Sequence, residues 1–267
     1  MLATEAKDGV MVERRGSTII LTMTNPGRKN AFFTEMRNRL ADTILTFGME
    51  PDVRAFVLTG ADGHFCSGAD LARAAPDLNK EPSAIVMRER MRDVHRLLRA
   101  ITSGVRPVIA AVEGDAFGAG MSMASACDWV IASRTARFGS AFAKLGILPD
   151  VGLLYTLPQR VGMSRARDMM IRGIPIGGDE AARIGLADEL VEPGTALEAA
   201  LKYAEQVAAM APLTVAHVKT SLTAGVHTLE DAMRLELDLQ PALATSRDCK
   251  EGMRAFMEKR PPRFEGR

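Results

Sequence analysis

Apolar residues fall into several short runs along the chain that predict strands. Residues 9–15 and 17–22 flank Arg15-Gly16 and predict a β-hairpin near the amino-terminal end. Residues 54–59 and 108–112 are mainly apolar runs of strand length, which is typical of strands buried on both faces. Two further short strands are predicted at Trp129–Ala132 and Arg137–Gly139.

Helical spacing of apolar residues predicts helices between these strands. Thr34 is predicted to cap a helix that runs to Gly48, because threonine accepts hydrogen bonds from the N–H groups that open a helix. A long amphipathic helix is predicted from Ser83 to Ile101. The alternation of strands and helices predicts an α/β core. The apolar face of the long helix would comprise Ile85, Met91, His95, Leu98 and Ile101.

The pattern becomes helical from Asp179 onward, and Pro193-Gly194 marks the best boundary in this region. We therefore divide the chain into a core of residues 1–194 and a helical region of residues 195–267. Four helices are predicted in the second part, at Ala196–Met210, Pro212–Thr223, Leu229–Ala244 and Arg247–Glu258.

Composition excludes some partners. The chain has 34 basic and 33 acidic residues, a formal charge of +1 that favours neither nucleic acid nor an anionic membrane. Cys66, Cys127 and Cys249 are widely spaced and no histidine cluster accompanies them, so neither a metal site nor a disulfide framework is expected. The polar start of the sequence and the lack of a membrane-spanning apolar run predict a cytoplasmic protein.

A run of small residues from Gly114 to Ser122 joins the strand at residues 108–112 to an apolar helix. Gly118 and Gly120 lack a Cβ, so backbone N–H groups at this turn can approach a ligand closely. The segment is a candidate site for an oxygen anion, and an ordinary tight turn is the alternative.

A second run of small residues, Gly63 to Leu71, follows the strand at residues 54–59. Two such loops could direct two N–H donors at one carbonyl oxygen, which is the minimal form of an oxyanion hole. Each donor of this kind contributes about 3 kcal/mol to acyl chemistry. The pair of loops is a more specific signal than either loop alone.

Both loops resemble the signature loops of the enoyl-CoA hydratase/isomerase, or crotonase, family, in Phe65-Cys66-Ser67-Gly68-Ala69-Asp70-Leu71 and Gly114-Asp115-Ala116-Phe117-Gly118-Ala119-Gly120-Met121-Ser122. Residues 25–32 are similar to that family's coenzyme A loop and residues 251–260 to its terminal helix, so the resemblance covers nearly the whole chain. It implies an α/β fold with a core spiral of ββα units. It also implies carboxyl-terminal helices that form a homotrimer, often paired into a homohexamer.

The resemblance implies an acyl-CoA thioester as substrate, with no permanently bound cofactor. The thioester oxygen would lie between the N–H groups of Ala69 and Ala119. Arg28 and Lys29 would supply positive charge for the phosphates, and Lys259 would approach from a neighbouring subunit. For each basic residue, ordinary surface charge is the alternative. The residues implied to bind the thioester are Arg28, Lys29, Ala31, Ser67, Gly68, Ala69, Asp70, Leu71, Gly118, Ala119, Phe256 and Lys259.

The sequence departs from the hydratases of this family at two positions. Those enzymes place a glutamate on each side of the substrate, and the matching residues here are Ser122 and Phe142. Hydration requires one group to activate water and one to deliver a proton, which suits two carboxylates. Serine and phenylalanine cannot replace that pair.

Asp150 is the remaining acidic candidate, in the segment Pro149-Asp150-Val151-Gly152. By itself this aspartate could simply cap the helix that begins near Leu153. The Pro-Asp-x-Gly arrangement also resembles isomerase members of the family, including oxepin-CoA and dienoyl-CoA isomerases, in which the aspartate is the acid/base. Phe142, Ile147, Leu148 and Val151 are expected to surround it and raise its pKa.

The favoured hypothesis is therefore an enoyl-CoA isomerase that shifts a double bond with Asp150 as its catalytic acid/base. The alternatives are an enoyl-CoA hydratase, an acyl-CoA thioester hydrolase and a catalytically silent acyl-CoA-binding subunit. Three other polar residues are expected to have structural roles. These are Ser122, bonded to the helix backbone, Cys66, which fills space in its loop, and Asp70, which caps the turn after Ala69.

Overall fold

The computed structural model describes residues 6–74 and 83–267, which form nine strands and eleven α-helices. The strands are β1 Val10–Arg15, β2 Thr18–Met23, β3 Ala55–Gly60, β4 Val108–Val112, β5 Asp115–Phe117, β6 Trp129–Ser133, β7 Arg137–Gly139, β8 Ile176–Gly177 and β9 Glu189–Val191. The helices are α1 Thr34–Gly48, α2 Leu71–Ala74, α3 Ala84–Ser103, α4 Ala119–Ala126, α5 Leu153–Val161, α6 Met163–Arg172, α7 Gly178–Arg183, α8 Ala196–Ala208, α9 Pro212–Ala224, α10 Leu229–Thr245 and α11 Arg247–Met257.

The strands form two sheets between which the chain alternates. The larger sheet has the order β1-β2-β3-β4-β6-β9, with an antiparallel β1–β2 hairpin and parallel pairs thereafter. The smaller sheet has the order β5-β7-β8. After β4 and again after β6, the next strand lies in the smaller sheet, and the chain returns to the larger one at β6 and β9. The predicted hairpin and α/β core are thereby confirmed.

Two hydrophobic layers cover the larger sheet. Phe56 and Leu58 of β3 belong to the main core, which also contains buried residues of α1, α3 and α4. Ala55 and Val57 alternate with them and face α8, because successive side chains of a strand point to opposite faces. Trp129 of β6 stacks on Tyr203 of α8 at 4.7 Å between ring centroids. The first helix after residue 194 therefore packs directly against the sheet.

Several local expectations were wrong in detail. Phe33 occupies the N-cap position of α1, and Thr34 is already helical. Ile85 is 72% exposed and His95 is also exposed. The other predicted face residues were placed correctly, since Ile101 is buried and Met91 and Leu98 are partly buried against the core, and α3 also buries Val94, Leu97 and Ala100. The strands β5 and β9 were not predicted, because three-residue strands with polar ends are stabilised by pairing with β7 and β6 rather than by a periodic pattern.

Lys219 joins α9 to the core. Its side chain is only 4% exposed, and its ammonium group donates to the carbonyls of Ile101 (2.6 Å) and Arg106 (2.9 Å). The third acceptor is the carboxylate of Asp128 at 2.6 Å, which also accepts from the Val108 N–H at the start of β4. All three donors of the ammonium are therefore used, as burial of a charge requires.

Replacing Lys219 with methionine removes the donor to two carbonyls and one carboxylate. We expect the free energy of unfolding to fall by about 3 kcal/mol, since one member of a buried charged pair is lost. Urea denaturation followed by circular dichroism measures this difference. Lys202→Met is the matched control, because Lys202 is exposed on α8. Equal stability of the two variants would contradict the assigned role of Lys219.

Candidate active site

The sheet order brings three loops together. β2, β3 and β4 are neighbouring parallel strands, so the segments after them emerge at the same edge of the sheet. These segments are residues 24–33, residues 61–70 and residues 113–118. Two of them are the small-residue loops that the sequence predicts to contain backbone donors.

The segment after β3, residues 61–70, is the middle loop of the three. Backbone hydrogen bonds join it to the segments on both sides. On one side the Phe32 N–H donates to the Gly68 carbonyl at 2.7 Å, and the Asp70 N–H donates to the Phe32 carbonyl at 2.9 Å. On the other side the Phe117 N–H donates to the Cys66 carbonyl at 2.9 Å. Adjacent N–H groups of extended backbone point in opposite directions. The Ala69 N–H therefore points away from Phe32.

Glycines allow the middle loop to touch the loop after β4. Gly68 has a φ of +102°, and a Cβ added there would lie 3.1 Å from the Phe117 carbonyl oxygen. A Cβ added to Gly118, which has a φ of +50°, would lie 3.7 Å from the Gly68 Cα. At Gly120 the added atom would be 2.2 Å from the Cys66 carbonyl oxygen, so no larger residue fits between α4 and this loop.

The residues after these two glycines present free donors. Within the described chain, the backbone N–H groups of Ala69 and Ala119 donate to no protein acceptor. Ala119 is the first residue of α4, where the aligned peptide dipoles favour negative charge. Two preorganised N–H donors on contacting loops can stabilise a carbonyl oxygen as it becomes negative.

Asp70 fastens the loop after β2 to the middle loop. Its buried carboxylate accepts from the Asn25 amide (3.1 Å), the Arg28 guanidinium (3.3 Å) and the Arg73 N–H (3.3 Å). Burial opposes ionisation, but these hydrogen bonds and the charges of Arg28 and Arg73 hold the pKa of Asp70 below its ordinary value. The predicted capping role is confirmed, because Arg73 lies in the short helix α2.

Asp115 provides a second buried carboxylate at the same edge. It accepts from Lys29 at 2.7 Å and from the two nitrogens Nε and Nη2 of Arg137 at 2.9 and 2.6 Å. Burial opposes its ionisation, yet these two partners lower the pKa of Asp115. Sequence reasoning missed Asp115 as a site residue, although its place inside the glycine loop was a usable signal.

The predicted coenzyme A residues divide into two groups. Ala31 is buried, with its carbonyl accepting from Asn25, and the Ser67 hydroxyl donates to the Arg28 carbonyl at 2.9 Å. Leu71 is 52% exposed beside these loops. The structure thus brings together Arg28, Lys29, Ala31, Ser67, Gly68, Ala69, Asp70, Leu71, Gly118 and Ala119.

Phe256 and Lys259 are not part of this group within one chain. Both are exposed, and Phe256 is on α11, which packs against α10. The carboxyl-terminal segment after α11 bonds to Arg54 through the Phe264 carbonyl at 3.0 Å. Arg54 precedes β3, whereas the candidate site follows β3, so this region lies at the opposite edge of the sheet.

Asp150 lies in the turn before α5. Its Oδ1 atom is buried and has no hydrogen-bond partner among the described residues. Burial raises the pKa of Asp150, and the positive charge of Arg90 on α3, with a smaller contribution from His95 on the same helix, only partly opposes this effect. The capping alternative is wrong, because Gly152 is the N-cap of α5 and no side chain caps that helix.

The surroundings of Asp150 agree only partly with expectation. Phe142 and Val151 are buried, but Ile147 is 52% and Leu148 72% exposed. The Phe142 ring lies beside the loop after β4, since its Cζ atom would be 3.9 Å from a Cβ added at Gly118. A phenyl ring therefore occupies the position where the resembled hydratases have a glutamate.

Ser122 and Cys66 have the structural roles that were expected of them. Ser122 is fully buried, and its hydroxyl donates to the Gly118 carbonyl at 3.1 Å, as predicted. Burial raises the pKa of the Cys66 thiol to about 12, so the reactive thiolate is scarce at neutral pH. The Nδ1 atom of His64 accepts from the Asp115 N–H at 3.2 Å.

The described part of the chain contains neither a cluster of metal ligands nor a membrane-spanning helix. Its histidine, cysteine and acidic side chains form no group of three or more able to hold a metal ion. None of its helices combines the length and apolar character needed to cross a bilayer.

Comparison with known proteins identifies the family. The sequence profile of enoyl-CoA hydratase/isomerase matches residues 13–267. A protein named "Probable enoyl-CoA hydratase" from Rhodobacter capsulatus is 41% identical over 93% of this chain and 94% of its own length. The "1,2-epoxyphenylacetyl-CoA isomerase" of Escherichia coli is 34% identical over 92% of this chain and 94% of its own length. This chain belongs to the enoyl-CoA hydratase/isomerase family.

The fold agrees with this assignment. The crystal structure of an enoyl-CoA hydratase from Polaromonas sp. JS666 matches with a TM-score of 0.90 and 31% identity, over 96% of this chain and 99% of that one. The predicted crotonase-like core is therefore confirmed. The protein is an enzyme of a family whose named members include both hydratases and isomerases.

Thiol alkylation tests the inert character that burial gives Cys66. We expect iodoacetamide to modify Cys249 of the native protein at pH 8 and to leave Cys66 and Cys127 unmodified, since the latter two are buried and Cys249 is partly exposed. Mass spectrometry of the digested protein measures each site separately. Modification of Cys66 as fast as Cys249 would contradict the assignment of Cys66 as a buried, space-filling residue.

Proposed function

We propose that this protein is an enoyl-CoA isomerase, in which Asp150 moves a proton between two carbons of the acyl group. The observation that carries the proposal is the Asp150 carboxylate, which has a buried Oδ1 atom without a partner and a raised pKa. A carboxylate whose pKa is raised accepts and returns a proton more readily than an ordinary aspartate.

The proposed reaction begins with a thioester whose double bond lies between C3 and C4. The ionised Asp150 carboxylate removes a proton from C2, and the electron pair moves onto the thioester oxygen between the Ala69 and Ala119 N–H groups. The protonated carboxyl then returns the proton to C4. The carbonyl re-forms, and the double bond now lies between C2 and C3.

The absence of a second carboxylate at two positions supports a proton shift rather than hydration. Ser122 donates to the Gly118 carbonyl, and Phe142 presents its ring beside Gly118. A 1,3-proton shift needs one acid/base group, whereas adding water is suited to two. The buried ring of Phe142 also occupies space that an activated water would require.

Exposed apolar side chains support an acyl-binding cleft near these groups. Leu71 follows the middle loop, Ile147 and Leu148 precede Asp150, and Ile85 and Met87 lie at the start of α3. Such grouped apolar exposure is typical of ligand-binding surfaces. The resemblance to the family implies pocket walls from residues 71–90 and from residue 142 onward, and residues 75–82 of this range lie outside the described chain.

Coenzyme A would be bound beside Arg28 and Lys29, on the side of the loops away from the proposed acyl-binding cleft. Arg28 and Lys29 each share a buried carboxylate with a second basic residue, Arg73 or Arg137. Each cluster therefore keeps an excess of positive charge for the phosphates.

We also propose that the chain assembles as a homotrimer or homohexamer in the cytoplasm. Leu237 on α10 is 76% exposed and Phe256 on α11 is 86% exposed, which favours their burial between subunits. In that assembly Phe256 and Lys259 would approach coenzyme A from a neighbouring subunit.

Hydration is the second candidate, because the 41% identical Rhodobacter capsulatus relative is named as a hydratase. It would require an unusual water geometry with Asp150 as the acid. The two reactions are distinguished by their substrates, since an isomerase acts on a 3-enoyl thioester and a hydratase acts on a 2-enoyl thioester.

Replacement of Asp150 with asparagine tests the proposed acid/base. We expect turnover of a 3-enoyl-CoA, followed by the ultraviolet absorbance of the conjugated product, to fall by about 100-fold or more. In the unmodified enzyme, kcat/KM should fall as the pH decreases through the raised pKa of Asp150, because only the ionised carboxylate removes a proton.

Asp52→Asn is the matched control, because Asp52 is exposed. Near-normal isomerisation by a folded Asp150→Asn variant would exclude the assignment. Hydration of a 2-enoyl-CoA without isomerisation of a 3-enoyl-CoA would favour the hydratase instead.

Gly118→Ala tests the donor at Ala119. Alanine at a φ of +50° would shift the start of α4, and we expect kcat to fall by about 100-fold as one donor moves away from the oxygen. Gly162→Ala is the control, because Gly162 has a φ of +77° at the start of another helix and open space around its Cα. Similar activity of both variants would count against the oxyanion hole.

A further inference from the structure

Among the described residues, Arg90 on α3 is an arginine without a carboxylate at hydrogen-bond or ion-pair distance. It is half-buried, and it forms no hydrogen bond or ion pair with any described residue. Other arginines nearby are paired, since Arg96 bonds to Asp42 and Arg37 bonds to Asp93. A half-buried guanidinium whose donors are not bonded to any described carboxylate is available to a ligand.

The position of Arg90 relates it to the proposed catalytic group. Leu98 of the same helix packs on the backbone after Asp150, because a Cβ added to Gly152 would lie 2.7 Å from Leu98 Cδ2. Arg90 precedes Leu98 by eight residues, which places it on the same side of α3 and about 12 Å along the helix axis. Its charge acts on the Asp150 carboxylate. Arg90 therefore lies on the side of α3 that faces Asp150, about two helical turns before the contact of Leu98 with Gly152.

A second arginine lies next to Arg90. The side chain of Arg37 on α1 is 3% exposed, and its Nε atom is buried without a hydrogen-bond partner. Its single carboxylate partner, within the part of the chain described, is Asp93 at 3.2 Å, which is 54% exposed. The charge of Arg90 acts on Arg37 as well. Among the described residues, Asp93 therefore pairs with Arg37 and leaves the Arg90 guanidinium without a carboxylate within ion-pair distance.

These charges oppose the proposed chemistry when no substrate is bound. The positive charge of Arg90, with a smaller contribution from His95, favours the ionised form of Asp150, whereas proton transfer benefits from a pKa nearer to neutral. A negative group bound to Arg90 would cancel its effect on Asp150. The arrangement is therefore well suited to a substrate that carries its own anion.

We propose that Arg90, with Arg37 behind it, binds a carboxylate at the far end of the acyl group, so that the preferred substrates are CoA thioesters of dicarboxylic acids. This inference rests on the proposed function, because it places the acyl group between the two loops and α3. The planar guanidinium matches a carboxylate with two parallel hydrogen bonds. Binding would stabilise the complex and neutralise the charge beside Asp150.

Binding of saturated thioesters tests the inference without any turnover. Pairs of equal length from four to eight carbons would be compared by calorimetry, for example adipoyl-CoA with hexanoyl-CoA. We expect the dicarboxylic member to bind about tenfold more tightly for at least one length. A hydrogen bond to a charged group stabilises a complex by about the free energy that this factor requires. Arg90→Gln should abolish this difference, and Arg90→Lys should retain part of it.

Arg92→Gln is the matched control, because Arg92 is exposed two residues further along α3 and therefore on another side. It should keep the preference. Equal affinity for both members at every length, or a preference that survives in Arg90→Gln, would overturn the inference. These results are separate from the turnover of Asp150→Asn, so loss of the acid/base assignment and loss of the carboxylate site can be told apart.

Discussion

The contact between two backbone loops at Gly68 and Gly118 is the constraint on which the candidate site depends. Ala69 and Ala119 follow these glycines, so a side chain at either glycine would alter the direction of a free N–H donor. The contact exists because β3 and β4 are adjacent parallel strands whose ends meet at one edge. Hydrogen bonds to flanking segments then prevent the loops from separating.

Two buried carboxylates give the same edge its rigidity. Asp70 and Asp115 are each surrounded by donors from different loops, so neither can protonate easily and neither is suited to move a proton. Asp150 is the reverse case, with a buried oxygen that no donor satisfies and a raised pKa. The environment of each carboxylate, rather than its residue type, separates anchoring from proton transfer.

The backbone next to Asp150 is strained, and the rest of the fold must stabilise this conformation. Val151 has a φ of +49°, which is rare for a β-branched residue and costs about 1–3 kcal/mol. Its side chain is 1% exposed, so packing compensates for the strain. Neither the strain nor the contact of Gly152 with Leu98 could be predicted from the sequence, because both depend on α3.

Local pattern determined most elements of this protein. The apolar run at residues 108–112 matches β4, and the four carboxyl-terminal helices begin where they were predicted. The paired glycine loops and the missing glutamates at Ser122 and Phe142 were also visible in the sequence. Tertiary structure decided what depends on distant neighbours: the short strands β5 and β9, the buried face of α3, the partners of Asp115 and the unpaired state of Asp150 and Arg90. Burial and charge act through space, so the sequence could name Asp150 both as a candidate acid/base and as a possible helix cap, but only its surroundings in the fold exclude the cap.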